Sequence, residues 1–169
     1  GGYKTNLYTS PHLLSYTERY VFEDKEINEE DLIELLTDVE KTLADDNATL
    51  FEILTCAFLK YAENFKDNIN IIEAGLFHQF DSTNVFKENL MTLIGVIHND
   101  HFQWLENKSI EGVIYEKTAK LLNSNIFINK QVNNEIRDKI EKSLEKNTSN
   151  KYFFGKDFNI AKSENGFIQ

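Results

Sequence analysis

Leu7-Tyr8-Thr9-Ser10-Pro11-His12-Leu13 is the stretch on which the reading of this chain turns. An extended apolar approach, residues 3–9, stops at the only proline of the sequence. Proline fixes its own φ and drives the preceding residue out of helical space, so Ser10 is expected to be extended or turned. The strand then delivers a hydroxyl and an imidazole, Ser10 and His12, into a loop. Open α/β sheets place ligand chemistry at such carboxyl ends.

Working outward, short apolar runs alternate with longer amphipathic ones. Residues 19–27 read as a small hairpin around Glu23-Asp24-Lys25. Asn28 suits an N-cap, and Glu29, Glu30 and Asp31 complement the positive end of a helix dipole. Leu32, Ile33, Leu35, Leu36 and Val39 follow at helical spacing. Thr49-x-x-Glu52 fits a capping box opening a second helix through Leu54, Ala57, Phe58 and Tyr61. The run Asn70-Ile71-Ile72 leads straight to Glu73, and the run 93–97 leads to His98-Asn99-Asp100-His101. Helices are expected over 109–122 and 132–144, and strands over 126–128 and 152–154. Strands separated by helices imply βαβ units, hence an α/β fold with a parallel sheet and helices on both faces.

Composition narrows the classes. The 169 residues suffice for one ordinary core, and seven glycines with one proline argue against linkers before the tail. That tail, residues 161–169, reads as the start of a linker. The net charge of −10 disfavours nucleic acid and anionic membrane as partners, since both select basic patches. No apolar stretch reaches the ~20 residues of a membrane span, and no signal peptide opens the chain, so a cytoplasmic location is expected. Cys56 lies in an apolar helical pattern and is expected to be a buried, inert thiol.

Three strand ends carry polar groups: Ser10 with His12, Glu73, and Asp100 with His101. Carboxylate and hydroxyl oxygens suit a hard cation such as Mg²⁺, whereas histidine alone leans toward a transition metal. Solvent-facing strand ends are the plain alternative. A phosphate loop needs G-x-x-x-x-G-K-[ST]. Gly155-Lys156 is the only Gly-Lys pair; Asp157 follows it and Asn150 stands where the first glycine belongs. It is not a phosphate loop.

These residues resemble a family. Tyr8-Thr9-Ser10-Pro11-His12-Leu13 with Glu18-Arg19 is similar to the TSPHL…ER segment of the folylpolyglutamate synthase/dihydrofolate synthase family, which belongs to the ATP-dependent Mur-type ligases. Thr49-Leu50-Phe51-Glu52-x-x-Thr55 resembles its LT-x-FE-x-xT segment. Ile72-Glu73-Ala74-Gly75-Leu76 with Asp81-Ser82-Thr83-Asn84 resembles EVGLGGRLDATN. Ile94…Asp100-His101 resembles IGLDH, Glu116-Lys117 resembles EKAGI, and Gly155-Lys156-Asp157-Phe158 resembles G-x-DF.

The resemblance implies a Mur-ligase-like ATPase domain over 1–160, a part of a longer enzyme whose phosphate loop and C-terminal domain lie elsewhere. The family joins glutamate to a folate or dihydropteroate carboxyl through an acyl phosphate, with ATP and Mg²⁺. Carried over by position, Ser10 and Glu73 are Mg²⁺ ligands, His101 serves a second metal position, and Lys117 is the lysine the family carbamylates. Phe51, Asp81 and Ser82 fall where the family holds the pterin. Glu52 also reads as a plain capping residue, and His12 as a loop hydrogen-bonder. His78 and His98 read as surface or loop residues. Phe77-His78-Gln79 replaces the family's Gly-Gly-Arg, and Thr118-Ala119-Lys120 replaces Ala-Gly-Ile. Two functional classes follow: a ligase portion, inactive until a separate chain supplies the phosphate loop, or a non-catalytic remnant acting as a folding or binding module.

Overall fold

The computed structural model describes residues 2–44 and 46–160. Their contacts gather into two units. One holds the residues up to Leu76 together with Phe80–Val85, and the other holds Phe77–Gln79 with the residues from Phe86 onward.

The first unit is built on a mixed four-stranded sheet in the order β3-β2-β1-β4. Strand β1 (Thr5–Tyr8) pairs parallel with β4 (Ile69–Ile72) and antiparallel with β2 (Tyr20–Phe22). The hairpin expected over 19–27 is present: β2 pairs with β3 (Lys25–Glu26) across Glu23 and Asp24, whose φ values of 50° and 66° are those of a tight primed turn. A capping box also opens the short 3₁₀ turn Tyr16–Arg19, with Ser15 and Glu18 as its reciprocal pair.

Helix α1 (Glu29–Leu43) starts at Asn28, whose side chain accepts from the Asp31 amide as the sequence predicted. Helix α2 (Leu50–Ala62) starts at the Thr49–Glu52 capping box, with both reciprocal bonds formed. Leu32, Leu35 and Val39 of α1 and Leu54, Ala57 and Phe58 of α2 pack with Tyr8, Tyr20 and Phe22 into one core. Its centre is aromatic: Phe58 stacks on Tyr8 at 5.0 Å and on Phe22 at 5.4 Å. Asn6 is fully buried among these groups. It donates to Asn70 Oδ1 at 2.8 Å and accepts from Asn68 Nδ2 at 2.9 Å, so its burial carries no unpaired amide.

Two expectations for these helices are corrected. Cys56 is exposed, not buried, because the inward face of α2 is set by Leu54, Thr55, Ala57 and Phe58 and position 56 turns away from it. Ile33 is 58% exposed for the same reason on α1.

The second unit holds a three-stranded parallel sheet in the order β5-β6-β7, from Met91–Ile94, Asn125–Ile128 and Lys151–Phe153. Helix α3 (Ile110–Thr118) is capped by Ser109 and ends four residues before the expected 122. Ala119 is extended there and Lys120 takes φ 58°, which together break the helix. Helix α4 (Asn134–Ser143) begins behind an Asn133 cap. Ile94, Val113, Ile114, Ile126, Ile128, Ile140 and Leu144 form the core. Strand β6 therefore buries Ile126 and Ile128 under the helices, while Phe127 stacks on Tyr152 at 4.8 Å. Among the described residues no helix is long and apolar enough to cross a membrane. The linker expectation for 161–169 lies outside the described residues.

Candidate functional site

In the first unit the ends of β1 and β4 meet. The parallel ladder continues one step past the strands, with the Glu73 amide donating to the Tyr8 carbonyl at 2.9 Å. The Glu73 carboxylate then receives the Ser10 amide on Oε2 at 2.8 Å. Two residues far apart in sequence are thus joined by their own backbone geometry. The Ser10 hydroxyl and Glu73 Oε1 make no hydrogen bond among the described residues and stay available. An uncommitted hydroxyl beside an exposed carboxylate is an oxygen donor pair suited to a hard divalent cation.

The loop that presents Ser10 is held by Glu18 and Arg19. Glu18 accepts from the amides of Leu13 (2.8 Å), Leu14 (2.8 Å) and Ser15 (2.7 Å). These bonds, the Leu13 amide first, hold its carboxyl below the usual carboxylate range. Arg19 Nε donates to His12 Nδ1 at 2.9 Å and its guanidinium lies 5.3 Å from the centre of the Tyr16 ring. His12 in turn packs on Tyr16 at 4.2 Å. Its hydrogen bond therefore goes to a side chain, not to loop backbone.

Phe51, Asp81 and Ser82 do converge, around Gly75. A Cβ at Gly75 would run into the tip of the Phe51 ring and come within 3.1 Å of Asp81 Oδ2, so a larger residue there would have to displace the ring. Asp81 ties the loop together, accepting from the Leu76 amide (2.8 Å), the Thr83 amide (3.0 Å) and the Thr83 hydroxyl (2.5 Å). The Ser82 hydroxyl meets Thr55 Oγ1 at 3.0 Å, and Thr55 also meets the Tyr8 hydroxyl at 3.2 Å. Burial raises the Tyr8 phenol above its ordinary range, so it stays a neutral member of this chain. Thr55 and Gly75 are the organising residues here. Both stand inside the matched segments, but only the folded contacts reveal their work.

In the second unit His101 takes φ 59°, and its Nε2 lies 3.2 Å from Asp100 Oδ2. Among the described residues Lys117 forms no ion pair; its Nζ lies 6.0 Å from the centre of the Phe77 ring. The same ring meets His101 edge-on, at 5.9 Å between centroids. Phe77 itself sits at φ 59°. A left-handed backbone costs a bulky residue roughly 1–2 kcal/mol and a glycine almost nothing. The sequence marks the replacement at 77 but gives no sign that the new ring would reach both downstream groups.

Among the described residues no three His, Cys, Asp or Glu side chains cluster to hold a metal. Ser10 and Glu73 fit a hard cation by donor type. Lys117 as an ammonium has only donors, so it would fit one only after conversion to an anionic group. Gly155-Lys156 lies beside a cleft of about 510 Å³ with Asn129–Asn134 and Arg137. The Gly155 amide is spent on the Phe158 carbonyl at 2.8 Å, so this turn is no phosphate cradle.

Parallel strands whose carboxyl ends carry the polar groups, with capped helices packed on them, define an α/β fold. No family model matches the chain. The dihydrofolate synthase/folylpolyglutamate synthase of Bacillus subtilis is 38% identical over 125 residues, covering 70% of this chain and 29% of that protein. The Escherichia coli protein of the same name is 32% identical over 104 residues, 62% of this chain and 24% of its own length. Among solved structures, the bifunctional folylpolyglutamate synthase/dihydrofolate synthase of Yersinia pestis, complexed with AMPPNP and Mn ion, superposes with a TM-score of 0.82 at 25% identity over 98% of this chain and 39% of that one. Escherichia coli FolC in complex with DHPP and ADP shares the fold, with a TM-score of 0.81 at 24% identity over 96% and 38%. The chain belongs to the folylpolyglutamate synthase/dihydrofolate synthase family and spans under a third of the length of these curated relatives.

Proposed function

We propose that the chain is the central part of an ATP-dependent ligase that joins L-glutamate to a folate or dihydropteroate carboxyl through an acyl phosphate, in the cytoplasm. The carrying observation is the meeting of Ser10 and Glu73 at adjoining ends of β1 and β4, with the Glu73 carboxylate fixed on the Ser10 amide. In this reading residues 1–160 belong to a Mur-ligase-like domain of a longer enzyme.

Ser10 and Glu73 hold the Mg²⁺ of a Mg²⁺–ATP complex. His101 and Lys117 serve a second cation, Lys117 as its carbamate, which turns an ammonium into an oxygen ligand. When bound, Mg²⁺ supplies charge neutralisation for phosphoryl transfer. The pterin lies against Phe51, oriented by Asp81 and Ser82 beside Gly75. The phosphate loop comes from outside these 169 residues, since the one Gly-Lys turn has its amide engaged on the Phe158 carbonyl.

The test is glutamate-dependent ADP release with dihydropteroate or folate. The chain alone should show none; addition of a polypeptide carrying a phosphate loop should restore it, and Glu73→Gln should abolish the restored activity. Release by the purified chain alone, or restored release untouched by Glu73→Gln, sinks this reading.

A further inference from the structure

The Phe77 ring ties together two observations that the proposed ligase chemistry leaves unexplained. The first is backbone: a bulky side chain occupies a left-handed position, φ 59°. Such a conformation persists only when surrounding contacts hold it in place. The second is the set of contacts themselves. Phe77 packs against the core of the second unit and carries Lys117 on its ring at 6.0 Å, with His101 set against it at 83° and 5.9 Å.

We infer that Phe77 is a positioning residue: its ring holds the Lys117 ammonium and the His101 imidazole on one aromatic surface, and a cation engages either group only when that ring withdraws. The inference rests on the reading of His101 and Lys117 as the second cation position. An ammonium near an aromatic ring is attracted by the ring quadrupole. A divalent ion needs lone pairs directed at it instead, and a ring beside both groups supplies none. The loop thus keeps the glycine-like backbone but fills it with a group that occupies the two side chains itself.

Two substitutions separate the aromatic role from simple packing. Phe77→Leu keeps an apolar side chain of similar reach but removes the ring, whereas Phe77→Tyr keeps the ring. In the full chain, acetylation of Lys117 by a water-soluble N-hydroxysuccinimide ester, followed by mass spectrometry, should rise about two- to fivefold in Phe77→Leu. It should stay near the wild-type rate in Phe77→Tyr. Equal Lys117 labelling in all three chains overturns the inference. A second readout uses Mn²⁺ as a paramagnetic probe. Broadening of the His101 ring signals should be weak in wild type and strong in Phe77→Gly; strong broadening of equal size in both also overturns it. If Mn²⁺ broadens neither Ser10 nor His101 in any variant, the proposed cation positions themselves fail. The labelling series then decides the role of Phe77 on its own.

Discussion

The two polar ends differ in what their side chains are doing. In the first unit Ser10 and Glu73 are pinned by backbone amides, and the Ser10 hydroxyl and Glu73 Oε1 have no hydrogen bond among the described residues. In the second, His101 and Lys117 are engaged through their side chains with an aromatic ring, and His101 with Asp100 as well. A site held by its main chain can present ligands without spending them. One held through its functional groups must release them first. The contrast also runs through the neighbouring backbone: Gly75 leaves space that the Phe51 ring tip fills, while Phe77 is a bulky residue at a φ that favours glycine.

The largest expected effect tests whether the first end depends on the core beneath it. Phe58 is fully buried and stacks on both Tyr8 and Phe22. Phe58→Ala should cost about 3–5 kcal/mol in urea unfolding, by transfer and cavity terms together. It should also weaken exchange protection of the Glu73 amide, which bonds the Tyr8 carbonyl. Unchanged protection would show that the strand ends do not rely on that core.

Next comes the glycine contrast itself. Gly75→Ala places a methyl against the tip of the Phe51 ring, which must then shift from its place beside Tyr8. We expect destabilisation of about 1–3 kcal/mol, typical of overpacking, and at least a tenfold loss of pteroate affinity by calorimetry. Tolerance of the methyl on both measures would remove Phe51 from the proposed pterin surface.

How far all this could be read from sequence depends on the range of the forces involved. The Asn28 cap, the Thr49–Glu52 box and the 23–24 turn are local, and each was legible from a few residues. The strand ends at Ser10 and Glu73 were legible too, because apolar runs stop there. Cys56 was misread because its neighbours Leu54, Ala57 and Phe58 are all apolar, and composition hides a face that only the 100° step per residue reveals. The Phe77 contacts with His101 and Lys117 were beyond reach, since they depend on where α3 places its last turn. Likewise the sequence marks Thr55 within a motif but not its hydrogen bonds to Tyr8 and Ser82.

A smaller effect probes the cap that launches α2 beneath the proposed pterin surface. Thr49→Ala removes the hydroxyl that accepts from the Glu52 amide. The cost should be about 0.5–2 kcal/mol in urea unfolding, with faster exchange of the first-turn amides of α2. Unchanged exchange there would show that the hydroxyl does not cap the helix.

The smallest effect is a pH dependence confined to the Ser10 loop. Three amides hold Glu18 below the ordinary carboxylate value of 4.5. A carboxyl with a depressed folded value contributes stability that is fully present above the unfolded value and is lost as pH falls through the folded one. The loop 10–15 should therefore keep its hydrogen bonds at neutral pH and loosen only below about 4.5, seen as faster exchange at Leu13, Leu14 and Ser15 relative to α1. Glu18→Gln removes the titrating group, so the same amides should exchange faster at pH 7 and show no further step on acidification. A loop that still loosens with acid in the Glu18→Gln chain would mean that some other carboxyl controls it.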